Sequence, residues 1–292
     1  MKTAEVNNIC VVGAGSMGHQ IGMLCALGGY ETTIQDVNED ALGKAKEALE
    51  FQMDKWVSKG KISSEQRIEA FSRLLFTTSL EEAAQETDFV IEAIVEKLEV
   101  KRQVFSELDR LAPPHTILAT NSSTIVSSLL AEATNRPDKV CNMHFFFPPL
   151  VMDCVEVVKG EHTSDETVKV TMEICEKINR TAVLLQKEIS GFIANRILGA
   201  LTTEAVKLYE EGYADFEDID LICTKALKHP IGPFGLMDLS GIDVAYFVHE
   251  QRYAETGDPN DKPPKSIEEK VQAGTLGRKT GRGWYNYSTQ KA

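Results

Sequence analysis

His144 stands in the most apolar stretch of the chain, NMHFFFPPLVMDCVEVV, and Glu156 follows twelve residues later among valines. Taken singly, each has a bland explanation, a core histidine and an acid at a strand end, since a buried polar group needs only a hydrogen-bond partner. Their spacing allows more. A chain that turns at FPPLV and returns antiparallel about Leu150 opposes residues whose numbers sum to 300, as 144 and 156 do. The two side chains would then be cross-strand neighbours, with Cβ atoms about 5 Å apart. A carboxylate on one imidazole nitrogen sets the tautomer and raises the basicity of the other. Such a base can take a hydroxyl proton while hydride leaves the same carbon.

Hydride needs an acceptor, and the segment ICVVGAGSMGHQIGMLCALGGYETTIQD is built to hold one. An apolar strand runs into Gly13, Ala14, Gly15, Ser16, Met17 and Gly18, and a helical pattern follows. This is G-x-G-x-x-G in the strand–turn–helix setting that gives it meaning. Gly13 permits the tight turn, Gly15 admits a pyrophosphate close to the backbone, and Gly18 lets helix and strand pack. The pyrophosphate would lie on amide N–H groups at the helix N-terminus. Asp36 closes the second strand 18 residues after Gly18. A carboxylate there accepts from ribose hydroxyls and repels a 2′-phosphate, so the expected cofactor is NAD rather than NADP.

These groups need a scaffold, and the chain is long enough for two domains, at 292 residues with 42% hydrophobic and 26% charged. NICVVGAG, YETTIQD, RLLFTTS, TDFVIEAIV, HTILATN and KVCNMHFFF read as strands, with helical periodicity between them. That alternation predicts an α/β domain over 1–188, a Rossmann-type doubly wound, mostly parallel sheet with helices on both faces. The connection over about 38–73 is too long for one helix and predicts two, projecting as a hairpin. From about Ile189 no strand pattern recurs. DFEDIDLICTKAL, GLMDLSGIDVAYFVHEQRYAE and KSIEEKVQAG predict an all-α C-terminal domain over 189–292, with GDPNDKPPK as a polar loop.

The formal charge of −13 excludes the broad basic surface that general nucleic-acid binding requires. An anionic ligand must therefore meet a local positive cluster, for which KWVSKGK, with Lys55, Lys59 and Lys61, is the candidate; by charge alone it reads as a solvated helix face. No run approaches the roughly 20 apolar residues that span a bilayer, and the first apolar run is too short and glycine-rich for a signal peptide. A cytoplasmic protein is expected. The six cysteines are widely spaced without a CxxC, which predicts buried free thiols and no zinc site or redox pair.

With these residues in place the sequence resembles the L-3-hydroxyacyl-CoA dehydrogenases, most of all the short bacterial 3-hydroxybutyryl-CoA dehydrogenases. The similarity runs from the glycine motif to GRKTGRGWYNY, nearly the whole chain. It implies NAD as cofactor, an acyl-CoA thioester as substrate and a homodimer paired through the helical domains. By the resemblance His144 is the catalytic base, or the acid in reverse, and Glu156 orients it. ATNSSTI matches the family's N-T-S-S segment and puts the Ser123 hydroxyl on the substrate oxygen near the nicotinamide; by itself NSST reads as a helix cap. SGFIANR matches the opening of the family's helical domain, where Asn195 hydrogen-bonds the substrate carbonyl region. Glu96 and Lys101 match residues at the NAD ribose, Lys279 a lysine that reaches the cofactor, and Lys59 a coenzyme A contact.

Three positions depart from the family. Its usual H-F-F-N-P has Phe147 at the fourth place, where asparagine hydrogen-bonds beside the nicotinamide. A ring at that cofactor position packs but forms no such bond, a loss of about 1 kcal/mol. Asp153 stands where lysine is common, and Gln52 where some relatives use a serine that contacts coenzyme A. Two other readings are open: an NAD-dependent dehydrogenase of a free hydroxy acid, like the gulonate and carnitine dehydrogenases, and a non-catalytic NAD-binding protein. The intact HFF and Lys59 speak against the first. The retained His144, Glu156, Ser123 and Asn195 speak against the second.

Overall fold

The computed structural model describes residues 6–288 and divides into two compact units, Met1–Phe192 and Ile193–Ala292. In the first unit the order is β1 (Asn8–Val12), α1 (Gly18–Leu27), β2 (Glu31–Gln35), α2 (Glu39–Ser58), α3 (Ser64–Ser72), β3 (Leu74–Thr77), α4 (Leu80–Ala84), β4 (Phe89–Glu92), α5 (Leu98–Leu111), β5 (Ile117–Thr120), α6 (Ser128–Ala131), β6 (Val140–Phe145), β7 (Cys154–Val158), α7 (Asp165–Lys177) and β8 (Thr181–Leu185).

The eight strands form one sheet in the order β3-β2-β1-β4-β5-β6-β7-β8. All neighbours are parallel except β6 and β7. Chain order reverses between β1 and β4, and ligands of such sheets lie in the crevice outside the strand ends there. The strands on either side of that point, ICVV and FVIE, are continuously buried, as strands covered by helices on both faces must be. One face packs Ile21, Met23, Leu24, Leu49, Ile174 and Cys175 against β1, β4, β6 and β7, and the other packs Ala84, Phe105, Leu108 and Leu130 against β1, β4 and β5. Three core thiols, Cys10, Cys25 and Cys141, are pushed up to about 12 by burial, so they serve as small apolar groups.

The long connection after β2 is the expected pair of helices. Asn38 caps α2 by accepting from Asp40 N and Ala41 N, and Ser63 with Gln66 forms a capping box on α3. Leu42, Ala45, Leu49 and Met53 form a buried stripe along α2, which packs into the core.

Two elements of this unit were not among the expected ones, α7 and β8. β8 is an edge strand and only partly buried, although its AVLL is as continuously apolar as the central strands. The return strand β7 arises as the hairpin about Leu150 requires, pairing Asn142 with Val158, Met143 with Val157 and His144 with Glu156.

The second unit is helical: α8 (Ala194–Glu210), α9 (Phe216–Lys225), α10 (Pro233–Ser240), α11 (Ile242–Thr256) and α12 (Lys265–Gln272), with short 3₁₀ turns at Pro259–Asp261 and Arg278–Thr280. The segment GLMDLSGIDVAYFVHEQRYAE, expected as one helical pattern, breaks at Gly241, whose φ of 105° leaves the helical region. Phe234, Trp284, Tyr209 and Phe216 pack mostly edge-to-face at its centre. Asp238 ties down the GRGWYNY tail, accepting from Trp284 N and Tyr285 N, each at 2.8 Å, and from Tyr287 Oη at 3.0 Å. No described helix is long and apolar enough to cross a membrane.

Candidate active site

The glycine loop lies between β1 and α1. Gly13 has φ +104°, and a Cβ there would meet the Ala93 carbonyl oxygen at 2.6 Å. At Gly18 a Cβ would fall 1.8 Å from the Gly13 oxygen, so only glycine lets α1 start this close to the turn. A Cβ on Gly15 would meet nothing within 4 Å. The protein's own packing therefore does not require glycine at 15, and the space above it is open to a ligand that approaches the backbone. Asp36, one residue beyond β2, is fixed by two backbone donors, Ala14 N to Oδ2 and Asn38 N to Oδ1, both at 2.9 Å. Its carboxylate is thereby anchored to the glycine loop with acceptor capacity left over. Open space at Gly15, amides at the start of α1 and a fixed acid beyond β2 fit a dinucleotide.

His144 and Glu156 sit on adjacent strands, 4% and 2% exposed. Nδ1 of His144 is 2.9 Å from Oε2 of Glu156. The carboxylate can only accept, so Nδ1 carries the proton and Nε2 presents a lone pair. Nε2 has no hydrogen-bond partner among the described residues. Phe146 and Phe192 flank the imidazole, with ring centroids at 4.8 and 5.4 Å. Burial of the pair strengthens the attraction between a protonated ring and the carboxylate, because little water screens it.

Ser123 follows β5 and is half-buried, and its hydroxyl forms no hydrogen bond with the described residues. Its neighbour Asn121 accepts from Phe145 N at 2.9 Å, which fastens this turn to the residue beside His144.

Glu96 and Lys101 differ in accessibility. Lys101 is 1% exposed, its ammonium 2.6 Å from Glu92 Oε1 and 3.2 Å from Glu96 Oε2. It is a buried link in an ion network and not a free cation facing a ligand. Glu96, with a side chain 42% exposed, is the open member. Burial alone would raise the Glu96 carboxyl, but the Lys101 charge and hydrogen bonds from Ser122 and Thr124 outweigh it and hold it below the ordinary range.

The remaining expected residues are more dispersed. Phe147 is 62% exposed, past the end of β6, with no aromatic partner among the described residues. Gln52 is half-buried on α2, and Lys59 is exposed just past its end and forms no ion pair among the described residues. Lys61 lies over the Trp56 ring at 5.4 Å. Asp153 accepts from Thr181 Oγ1 at 3.1 Å. In the second unit Asn195 is exposed in the first turn of α8, and Lys279 Nζ is ion-paired with Asp243 at 2.5 Å. Sequence reading missed Glu92, Thr120, Ser122 and Phe192. The signal for Glu92 was the one that marked His144, a lone polar residue in an apolar run.

A doubly wound sheet with a dinucleotide loop, followed by a separate helical domain, defines the class of two-domain NAD-dependent oxidoreductases. The family model described as "3-hydroxyacyl-CoA dehydrogenase, NAD binding domain" matches residues 8–189, and "3-hydroxyacyl-CoA dehydrogenase, C-terminal domain" matches 191–287. The chain belongs to the 3-hydroxyacyl-CoA dehydrogenase family. It is 38% identical to a probable 3-hydroxybutyryl-CoA dehydrogenase of Bacillus subtilis, over 97% of this chain and 98% of the relative. Identity is 37% to the 3-hydroxybutyryl-CoA dehydrogenase of Clostridioides difficile, over 96% and 99%. The crystal structure of (S)-3-hydroxybutyryl-CoA dehydrogenase PaaH1 from Ralstonia eutropha is similar at a TM-score of 0.92, with 35% identity over 98% of this chain and all of that one.

Proposed function

We propose that this protein oxidises short-chain L-3-hydroxyacyl-CoA, 3-hydroxybutyryl-CoA in the first place, to the 3-ketoacyl-CoA, and catalyses the reverse reduction. The observation that carries this reading is the buried His144–Glu156 pair, with Nε2 left unpartnered. Nε2 takes the proton of the 3-hydroxyl, and Glu156 stabilises the imidazolium that results. When bound, NAD supplies the acceptor for the hydride that leaves the same carbon. Carbon–oxygen double-bond formation balances the two losses. In reverse, the imidazolium returns its proton to the ketone oxygen.

Ser123 donates to the reacting oxygen; that its hydroxyl has no hydrogen-bond partner among the described residues supports that role. Asn195 hydrogen-bonds the thioester carbonyl region. Lys59, just past the end of the helix that carries Gln52, meets the phosphates of coenzyme A, a role favoured by its exposure and by its having no ion pair among the described residues. Gly13, Ala14, Gly15, Ser16, Met17 and Gly18 hold the pyrophosphate, Asp36 the adenosine ribose, and Glu96 the nicotinamide side, with Phe147 and Lys279 at its margin.

The second unit exposes Ile197, Leu221, Ile222, Leu239, Val244, Phe247 and Val248, apolar side chains that a partner surface would cover. A homodimer paired through this unit accounts for it, and sedimentation of the wild type beside a Leu221→Asp, Ile222→Asp variant tests the pairing.

The deciding experiment follows NADH oxidation with acetoacetyl-CoA, a longer 3-ketoacyl-CoA and free acetoacetate. Turnover of the thioesters, fastest with acetoacetyl-CoA, is expected. Turnover of free acetoacetate alone would favour a free-acid dehydrogenase, and NADH binding without turnover of any of them a non-catalytic protein.

A further inference from the structure

Glu92 ends β4 with its side chain fully buried. Its Oε1 accepts from Lys101 Nζ at 2.6 Å and Ile94 N at 2.7 Å, and its Oε2 from Thr120 Oγ1 at 2.6 Å. A buried ion pair is a poor source of stability, because apolar residues of similar size commonly do as well without the desolvation cost. What distinguishes this pair is where its two arms lead. From Oε1, the Lys101 ammonium continues to Glu96 Oε2 at 3.2 Å, and Glu96 Oε1 accepts from the Ser122 hydroxyl. From Oε2, the Thr120 hydroxyl accepts from Ser122 N at 3.1 Å.

Both arms therefore close on Ser122, one through its side chain and one through its backbone. Ser122 immediately precedes Ser123. On the other side, Asn121 N donates to the Glu92 carbonyl at 2.8 Å while Asn121 Oδ1 holds Phe145 N, next to His144. The turn that carries Ser123 is thus fixed at Glu92 and at the strand of the imidazole.

We propose that Glu92 is a positioning residue: through Lys101–Glu96 and through Thr120 it sets the Asn121–Ser122–Ser123 turn, and so the Ser123 hydroxyl and the Glu96 carboxylate, relative to His144 Nε2. This rests on the role assigned above to Ser123. Glu92 itself touches no substrate. Its effect is geometric, and reaction rates depend steeply on such placement.

The test replaces both members of the pair with apolar residues, Glu92→Leu with Lys101→Met, beside Glu92→Gln alone and Ser123→Ala. The holoprotein is read by kcat and KM with acetoacetyl-CoA, by NADH affinity from fluorescence titration, and by Tm. The double variant should fold with a lowered Tm, since Ile94 N and Thr120 Oγ1 lose their acceptor while the ion pair itself is replaced by apolar contact. Its kcat should fall about tenfold or more with acyl-CoA KM changed far less, and NADH affinity should weaken a few-fold. Glu92→Gln, which keeps the shape but sets an amide donor against Lys101 or Thr120, should show the same split. A folded double variant with wild-type kcat would reduce the pair to scaffold and overturn the proposal. Failure of both variants to fold would do the same. If Ser123→Ala keeps full activity, it is the role of Ser123 that fails, a result distinct from a fully active double variant.

Discussion

His144 Nδ1 lies 2.9 Å from Glu156 Oε2 across a register that sets the two residues directly opposite on antiparallel strands. The carboxylate holds the ring in one tautomer, with Nδ1 as the donor. Glu156→Gln keeps a hydrogen-bond acceptor but removes the charge, so kcat should fall far more than substrate KM rises. His144→Gln should cost about 10²–10⁴ in kcat, the usual contribution of a general base, with NADH binding near normal. Steady-state kinetics with fluorescence titration of NADH measures both. A His144→Gln enzyme with near-wild-type kcat would place the base elsewhere.

Asp36 is held by Ala14 N and Asn38 N and cannot swing away from a 2′-phosphate without giving up both bonds. NADH should outperform NADPH by at least about tenfold in kcat/KM, or roughly 1.4 kcal/mol. Asp36→Ser should narrow the gap. Equal rates of the wild type with both cofactors would remove Asp36 from the ribose.

At Gly18 the 1.8 Å clearance to the Gly13 oxygen leaves no room for a methyl group. Gly18→Ala must push α1 away from the turn, at about 1–3 kcal/mol of stability. NADH affinity should drop with the Tm, since the amides at the start of α1 move too. Gly15→Ala, with nothing within 4 Å, should keep the wild-type Tm while still losing NADH affinity. A Gly15→Ala protein that binds NADH normally would contradict the assigned pyrophosphate position.

Phe147 is largely exposed, so Phe147→Asn should leave stability within about 0.5 kcal/mol. Restoring the family's side chain should change cofactor KM or kcat a few-fold, in line with one hydrogen bond of about 1 kcal/mol. Chain-length preference should hold. Kinetics with two acyl lengths checks this, and a switch in preference at constant cofactor KM would move Phe147 to the acyl pocket.

Asp109 links α5 to the segment before β6. Burial would raise its carboxyl, but Asn135 N, the Asn135 amide and the Arg136 guanidinium hold it below the ordinary range. Its stabilisation is therefore complete above the unfolded value near 3.9 and is lost as pH falls through the lower folded value. Wild type and Asp109→Asn should differ in Tm at pH 7 and converge in strong acid. A gap unchanged down to pH 2 would refute this.

Much of the molecule is legible in the sequence. The glycine loop, the acid 18 residues on and the alternation of apolar runs with helical patterns are local, and local patterning decides where strands and helices form. Even the His144–Glu156 register could be read, because a short hairpin is a local structure whose pairing is set by its turn. What the sequence could not show is what depends on residues brought together from distant places. That Glu92 and Lys101 would be spent on each other, and that their arms would meet at Ser122, follows from β4, α5 and the end of β5 packing side by side. The break at Gly241 and the anchoring of the GRGWYNY tail by Asp238 are likewise tertiary. Periodicity records which face a residue turns inward; the partner it meets there is chosen by the packing of the whole chain.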